Sequence, residues 1–200
     1  FFNSKFGIAN EIILENDFSG MIISNKKFDS VDNHRFWLTE FESVDFSNMK
    51  SSNSDFRIAG MNNVNFRDSS LTDVQIVRTT IVNADFSNTV LTNVKFSSSD
   101  IIDSNFNKSV LDNIENYGAI YRGSDFSDSI IKNTTFKRTM LYNNDFSNTK
   151  FENVEMESLM LAGSKFSKID FSSINIKKGT DFTAKIMKDD SVTRGTILDN

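Results

Sequence analysis

The residues best placed to do chemistry are carboxylates. Asp45, Asp85, Asp125 and Asp145 share one register, each just before a Phe, with Asn65 and Asn105 between them. Such an acidic stripe would either imitate DNA phosphates or simply solvate one outward position. Lys165 interrupts it, and Arg67 and Arg122 stand among the outward residues. General acid–base work needs surroundings that shift a pKa, and a nucleophile needs a base beside it. The chain has one His, His34, and no Cys. His34 falls in an irregular stretch and is expected to face solvent. Disulfides and thiolate metal sites are excluded, and no ligand spacing suits a metal ion. No Gly-rich phosphate loop appears among the 8 Gly. The expectation is no catalytic residue, no metal, no cofactor and no enzymatic activity in this chain.

The formal net charge of −5 provides no basic footprint, so nucleic acid is not an expected partner. No apolar run approaches the roughly 20 residues of a membrane-spanning helix, and no signal peptide is visible at Phe1. The start at Phe1 without Met suggests a segment of a longer protein, in which a catalytic domain elsewhere is compatible with the reading. Location stays open.

The elements that must carry these residues follow from a beat of five. From position 36 to position 176 every fifth residue gives 29 sites, and 27 of them are apolar or Tyr; Ser51 and Asn116 are the exceptions. A helix would spread such sites around its circumference, and a straight strand would alternate their faces. The pattern needs a chain that turns a corner every five residues. Two residues before each large site sits a small or β-branched one, as at Val44, Val64, Val74, Ala84, Thr89, Val94, Ser99, Ser104, Ser124, Thr134 and Val154. Residues two apart on an extended segment share a face, so each quintet sends one large and one small side chain inward.

A longer period sets the size of the coil. Phe46, Phe66, Phe86, Phe106, Phe126, Phe146 and Phe166 recur every 20 residues. Four quintets therefore make one coil, with two opposite sides mostly Phe and the other two mostly Leu, Ile or Met. Stacked at the inter-strand spacing of about 4.8 Å, roughly seven coils make a rod of about 35 Å. The absence of Pro fits, because Pro cannot donate to the ladders between coils. Burying each Phe contributes about 2–3 kcal/mol against a chain-ordering cost of about 1–2 kcal/mol per residue.

The expected organisation is one continuous domain. Residues 1–35 form N-terminal coils in a shifted phase, with Ile8, Ile13, Phe18, Ile23 and Phe28 on their own beat. A bulging loop of about three extra residues then separates Phe28 from Phe36. Residues 36–176 form the regular solenoid. Residues 177–200 form either a further coil or a cap, after a one-residue insertion at Lys177-Lys178-Gly179. Asn116 is expected to be a local distortion, or to bond the backbone of an adjacent coil.

The quintets Val44-Asp45-Phe46-Ser47-Asn48, Ala84-Asp85-Phe86-Ser87-Asn88, Ser124-Asp125-Phe126-Ser127-Asp128 and Asn144-Asp145-Phe146-Ser147-Asn148 resemble the A(D/N)(L/F)xx unit of pentapeptide-repeat proteins. The resemblance covers most of the chain. It implies an all-β, right-handed, quadrilateral parallel β-helix. Ala is rare at the small inward site, where Val, Ser and Thr prevail. Some members of the family resemble duplex DNA in shape and charge and act on gyrase. Others are effectors injected into host cells, where the solenoid targets or binds a partner.

Apolar residues at outward positions are the strongest anomaly. Ile120, Met140 and Met160 precede their core sites on one side, and Val82, Ile102, Tyr142 and Ala162 follow theirs on the same side. Stacking at 20 gathers them into a candidate partner-binding face. Val90, Val110 and Ile130 form a narrower ladder, expected on the next side. The alternative for both is β-propensity at an outward strand position, or cover by a terminal segment. Trp37 is a weaker candidate, or a cap on the first regular coil. The resulting expectation is a non-enzymatic protein-binding scaffold, as in a bacterial effector's β-helix, with an open option of a homodimer. A DNA-mimicking partner of gyrase or another topoisomerase is the alternative.

Overall fold

The computed structural model describes residues 17–181, together with short strands at 187–188, 191–192 and 197–199. The chain winds as a four-sided parallel β-helix, each side one quintet long. Core residues 36, 41, 46 and 51 begin the first, second, third and fourth sides, and residues 20 apart stack. The second side is a sheet of seven parallel strands: Ile22–Ser24, Glu40–Glu42, Gly60–Asn62, Thr80–Val82, Asp100–Ile102, Ile120–Arg122 and Met140–Tyr142. The opposite, fourth side has six, from Lys50–Ser52 to Lys150–Glu152. The third side is held by single bridges through Asp45, Asn65, Asp85, Asn105, Asp125, Asp145 and Lys165. The first side begins the same way and becomes a sheet from Glu115–Tyr117 onward.

The corners explain why a quintet turns. The residue two places after each large core site has a left-handed backbone, from Asn48 (φ 59°) to Asn148 (φ 57°). Asn and Asp tolerate this region better than other non-Gly residues, which accounts for the abundance of Asn. At Gly123 (φ 65°) a Cβ would also strike the carboxylate of Asp103 on the coil before. Inside, the Phe46-to-Phe166 column stacks with ring centroids 4.6–4.9 Å apart. Rings of the first side meet it edge-on, as Phe86 meets Phe96 at 6.4 Å and 88°. Offset or edge contacts of this kind add about 0.5–1.5 kcal/mol per pair beyond burial.

The small inward sites do more than leave room. The hydroxyl of Thr89 donates to the carbonyl of Phe66 at 2.8 Å, and that of Ser164 donates to Leu141 at 2.8 Å. The Ser104 hydroxyl accepts from the amide of Ala84 at 3.2 Å, and Asn144 Oδ1 accepts from Ser124 N at 2.9 Å. Ser and Thr in place of Ala thus pair buried backbone groups at the corners, which would otherwise cost about 1–3 kcal/mol each.

Three expectations need correction. The bulge before Phe36 is absent: Lys27 bridges Asp45, yet Ser30 already bridges Lys50 and Val31 is fully buried. The chain reaches its next core site three residues after Phe28, so this coil is two residues short. A bulge would have left Val31 in water, losing its burial energy. His34 does not lie in a solvent loop. It takes a small inward site, half-buried, with its ring 5.6 Å from Phe18 and 5.9 Å from Phe36 and Nδ1 2.7 Å from the Asp32 carbonyl oxygen. Asn116 continues the ladder without distortion, pairing with Phe136 in register. Its side-chain Oδ1 accepts from the hydroxyl of Tyr121 at 2.6 Å, and its Nδ2 has no partner. Burial pushes the Tyr121 phenol far above its ordinary pKa.

The extra residue near Gly179 is observed, since Met156 pairs Ile176 but Met160 bridges Asp181. Gly179 takes the left-handed conformation there (φ 86°). Ile8, Ile13 and Phe182 lie outside the described residues. Met187–Lys188 pairs antiparallel with Ser191–Val192, and Ile197–Asp199 lies parallel to Lys165–Ser167.

Candidate functional site

The second side brings the candidate apolar residues together through its register. Ile120, Met140 and Met160 stand on successive coils. Each occupies the outward position beside a buried core residue, Tyr121, Leu141 and Leu161. Met160 is 45% exposed. The hydroxyl of Tyr142 donates to Met160 Sδ at 3.4 Å, tying the parallel column to this one. In that column Val82 pairs Ile102, but Arg122 separates Ile102 from Tyr142. Ala162 is the exception to the expected face. It is buried, about 1% exposed, and so presents nothing to a partner. The face therefore consists of Ile120, Met140, Tyr142 and Met160, with Val82 and Ile102 beside it.

Val90, Val110 and Ile130 also form an unbroken ladder, in register on the fourth side. That side is opposite to the second, not next to it, because ten residues is half a coil. The two apolar ladders therefore cannot form one patch.

The acidic stripe is a true column on the third side. Its carboxylates are engaged locally. Asp45, Asp85, Asp125 and Asp145 each accept a bond through Oδ1 from the backbone N–H two residues on, at 2.8–2.9 Å. Asn65 and Asn105 do the same at 3.0 and 2.9 Å. Lys27 pairs with Asp45 at 3.4 Å and Lys165 with Asp145 at 3.5 Å. Bonds from Ser47 hold the Asp45 carboxyl below its ordinary value against the cost of burial, with Lys27 adding to them. These groups shape corners.

Among the described residues no group of three or more His, Asp or Glu is placed to hold a metal ion. Among them, too, no helix is long and apolar enough to cross a membrane. A depression of about 240 Å³ between the fourth and first sides is lined by Asn93, Asn113 and Asn133, whose amides are spent on one another and on Asp73 and Asp112.

A second cluster lies on the first side, around Trp37. Its indole is flanked by the guanidinium groups of Arg57 at 4.5 Å and Arg35 at 5.2 Å. Asp55 binds Arg57 at 2.6 Å and also accepts from Trp37. Burial disfavours the Asp55 carboxylate, but the bonds from Arg57 and Trp37 outweigh it and hold the group below its ordinary pKa. Leu38 and Ile58 stand beside it in the left-handed corner column. Sequence reasoning noted Trp37 alone. The available signal was Leu38 and Ile58 in a column where Asn prevails.

No curated protein sequence matches the chain significantly. The model of the family described as pentapeptide repeats matches residues 69–107 and 122–157 in eight copies. Among solved structures, a trypsin-treated form of QnrB1, a plasmid-mediated fluoroquinolone resistance protein, aligns over 92% of each chain at 13% identity with a TM-score of 0.58. That likeness establishes the fold. HetL, a pentapeptide-repeat protein involved in heterocyst differentiation regulation in the cyanobacterium Nostoc sp. strain PCC 7120, shares 14% identity over 88% of this chain and 91% of its own, with a TM-score of 0.26. Eight matched repeats within a Pro-free, four-sided coil that stacks every 20 residues identify residues 69–107 and 122–157 as pentapeptide repeats.

Proposed function

We propose that this chain is a non-enzymatic scaffold that binds a protein partner through the Met140 face of its second side, serving as the targeting or partner-binding β-helix of a bacterial effector. The observation that carries this reading is the Ile120–Met140–Met160 ladder with Tyr142 beside it. A soluble solenoid side is expected to be polar outward, and a contiguous apolar stripe on a rigid sheet suits a partner's anchor residues. The effector assignment rests on the family resemblance. The test is affinity capture from host-cell and bacterial extracts with the purified chain as bait. A partner of this face is lost on Met140→Asp or Tyr142→Asp and kept on Asp85→Lys with Asp125→Lys.

The topoisomerase reading has the continuous third-side column in its favour. Those carboxylates are also engaged with backbone amides and lysines, which weakens the case for a phosphate mimic. It predicts the reverse pattern: binding to purified gyrase, lost on the Asp→Lys pair and indifferent to Met140→Asp.

A further inference from the structure

The Trp37 cluster is independent of the Met140 face. It has the form of a small grid on three successive coils. Trp37, Arg57 and Val77 make one column, and Leu38, Ile58 and Arg78 make the next. The corner amides of Leu38 and Ile58 donate to the carbonyls of Arg57 and Val77 on the following coils, at 3.4 and 3.0 Å. Trp37, Arg57, Ile58, Val77 and Arg78 line a depression of about 230 Å³. Leu38 is 60% exposed and Ile58 47% exposed.

Two features set this grid apart from an ordinary solvated corner. Leu38 (φ 55°) and Ile58 (φ 58°) hold left-handed backbones, which a branched side chain adopts only under strain. Both stay substantially exposed, so burial offsets only part of that strain. The second feature is charge. Arg35 pairs with Asp17 and Arg57 with Asp55, whereas Arg78 has no ion pair among the described residues. An open guanidinium thus sits at the rim of an apolar depression on a chain of net charge −5. The Arg57–Asp55 pair holds the indole in place, so the aromatic wall is already ordered before anything binds.

We propose that this grid docks an acidic peptide segment of a partner protein, with one large apolar side chain in the depression and a carboxylate on Arg78. A carboxylate matches the planar guanidinium fork. The space exceeds the roughly 150 Å³ of an apolar cavity that admits benzene, so a Phe or Leu side chain fits. Nucleic acid fits less well. It needs several cations along its backbone, and here two of three are already paired with carboxylates.

Trp37 is the one Trp of the chain, so its fluorescence reports on the site directly. The probes are the blocked hexapeptide Glu-Asp-Leu-Phe-Asp-Glu, its Lys-for-acid counterpart, and a short single-stranded oligothymidylate. The expected result is a saturable change of Trp37 emission with the acidic peptide alone. Arg78→Glu weakens it about tenfold or more. Met140→Asp leaves it unchanged, which separates this site from the second-side reading. Ile58→Asn provides a second signature: it removes apolar lining while relieving backbone strain, so binding falls as thermal stability rises. The proposal is overturned if no saturable change occurs, if Arg78→Glu binds equally well, or if the Lys peptide or oligothymidylate binds as tightly. It is also overturned if sedimentation shows the chain self-associating through this grid, with Ile58→Asp restoring the monomer.

Discussion

The pair Asn116–Tyr121 allows a quantitative test of how this core accommodates polarity. Both residues are about 1% exposed. They share one hydrogen bond of 2.6 Å, and Asn116 Nδ2 is left without a partner. Changing Tyr121→Phe removes the one donor to Asn116 Oδ1 among the described residues, so a second polar atom is orphaned. A buried unsatisfied group costs about 1–3 kcal/mol, and stability should fall by that amount. Asn116→Leu removes the orphaned amide but strands the Tyr121 hydroxyl, so the two effects nearly cancel. The double variant removes every polar atom of the pair. Ile76 and Met156 occupy the equivalent first-side positions two coils away, and Phe in place of Tyr121 frees the hydroxyl's volume for Leu. The double variant should exceed the native protein by about 1–3 kcal/mol, with a coupling energy of at least about 2 kcal/mol. For a chain of this length each kcal/mol moves Tm by about 2–4 °C. Calorimetry and urea unfolding followed by far-ultraviolet circular dichroism measure all four corners of the cycle. If the double variant is no more stable than the native chain, the unpaired amide carries no cost and the accounting fails.

Other consequences follow from the same geometry. Ile58→Asn should raise stability by about 1 kcal/mol, because Asn tolerates the left-handed corner that strains Ile; a thermal shift of zero or below contradicts the strain. Phe106→Ala, in the middle of the third-side stack, should cost about 3–5 kcal/mol. Because each coil touches only its neighbours, it should also split a single unfolding transition into two, visible by calorimetry. Asp55 has a folded pKa below its ordinary value, so its contribution is fully present above the unfolded pKa of about 3.9 and is lost as pH falls through the folded value. Stability should therefore hold from neutral pH to about pH 5 and decline below about pH 4, with a shallower decline in Asp55→Asn.

Much of the fold was legible because it is periodic. A core site every five residues and a Phe every 20 define the four-sided coil and its stacking, and the ring contacts of the Phe46-to-Phe166 column follow directly. The corners were not legible as corners. Asn48 or Asn88 reads as one more solvated residue until its backbone is seen to be left-handed. Tyr121 reads as one more large core residue, which hides the partner of Asn116 five residues away on the adjoining side. The short coil at Phe28 and a bulge give the same phase change on paper, and only the burial of Val31 decides between them. The Met140 face was legible, since outward register follows from the beat, but Ala162 was not, because a small side chain is easily covered by neighbours. The Trp37 grid was missed because its members belong to two columns and to no sequence motif.

The strict coil length turns insertion and deletion into geometric operations on the surface. Four added quintets advance everything downstream by about 4.8 Å along the axis and leave every residue facing the same way. One added quintet instead rotates everything downstream by a quarter turn, carrying the Met140 face to the side where the Asp85 column now lies. The coil two residues short at Phe28 and the one extra residue at Gly179 do neither, because a corner absorbs them and the sides stay aligned. A lineage can thus change how far apart two patches lie, or which way one faces, by the number of quintets it duplicates, without altering a single contact residue.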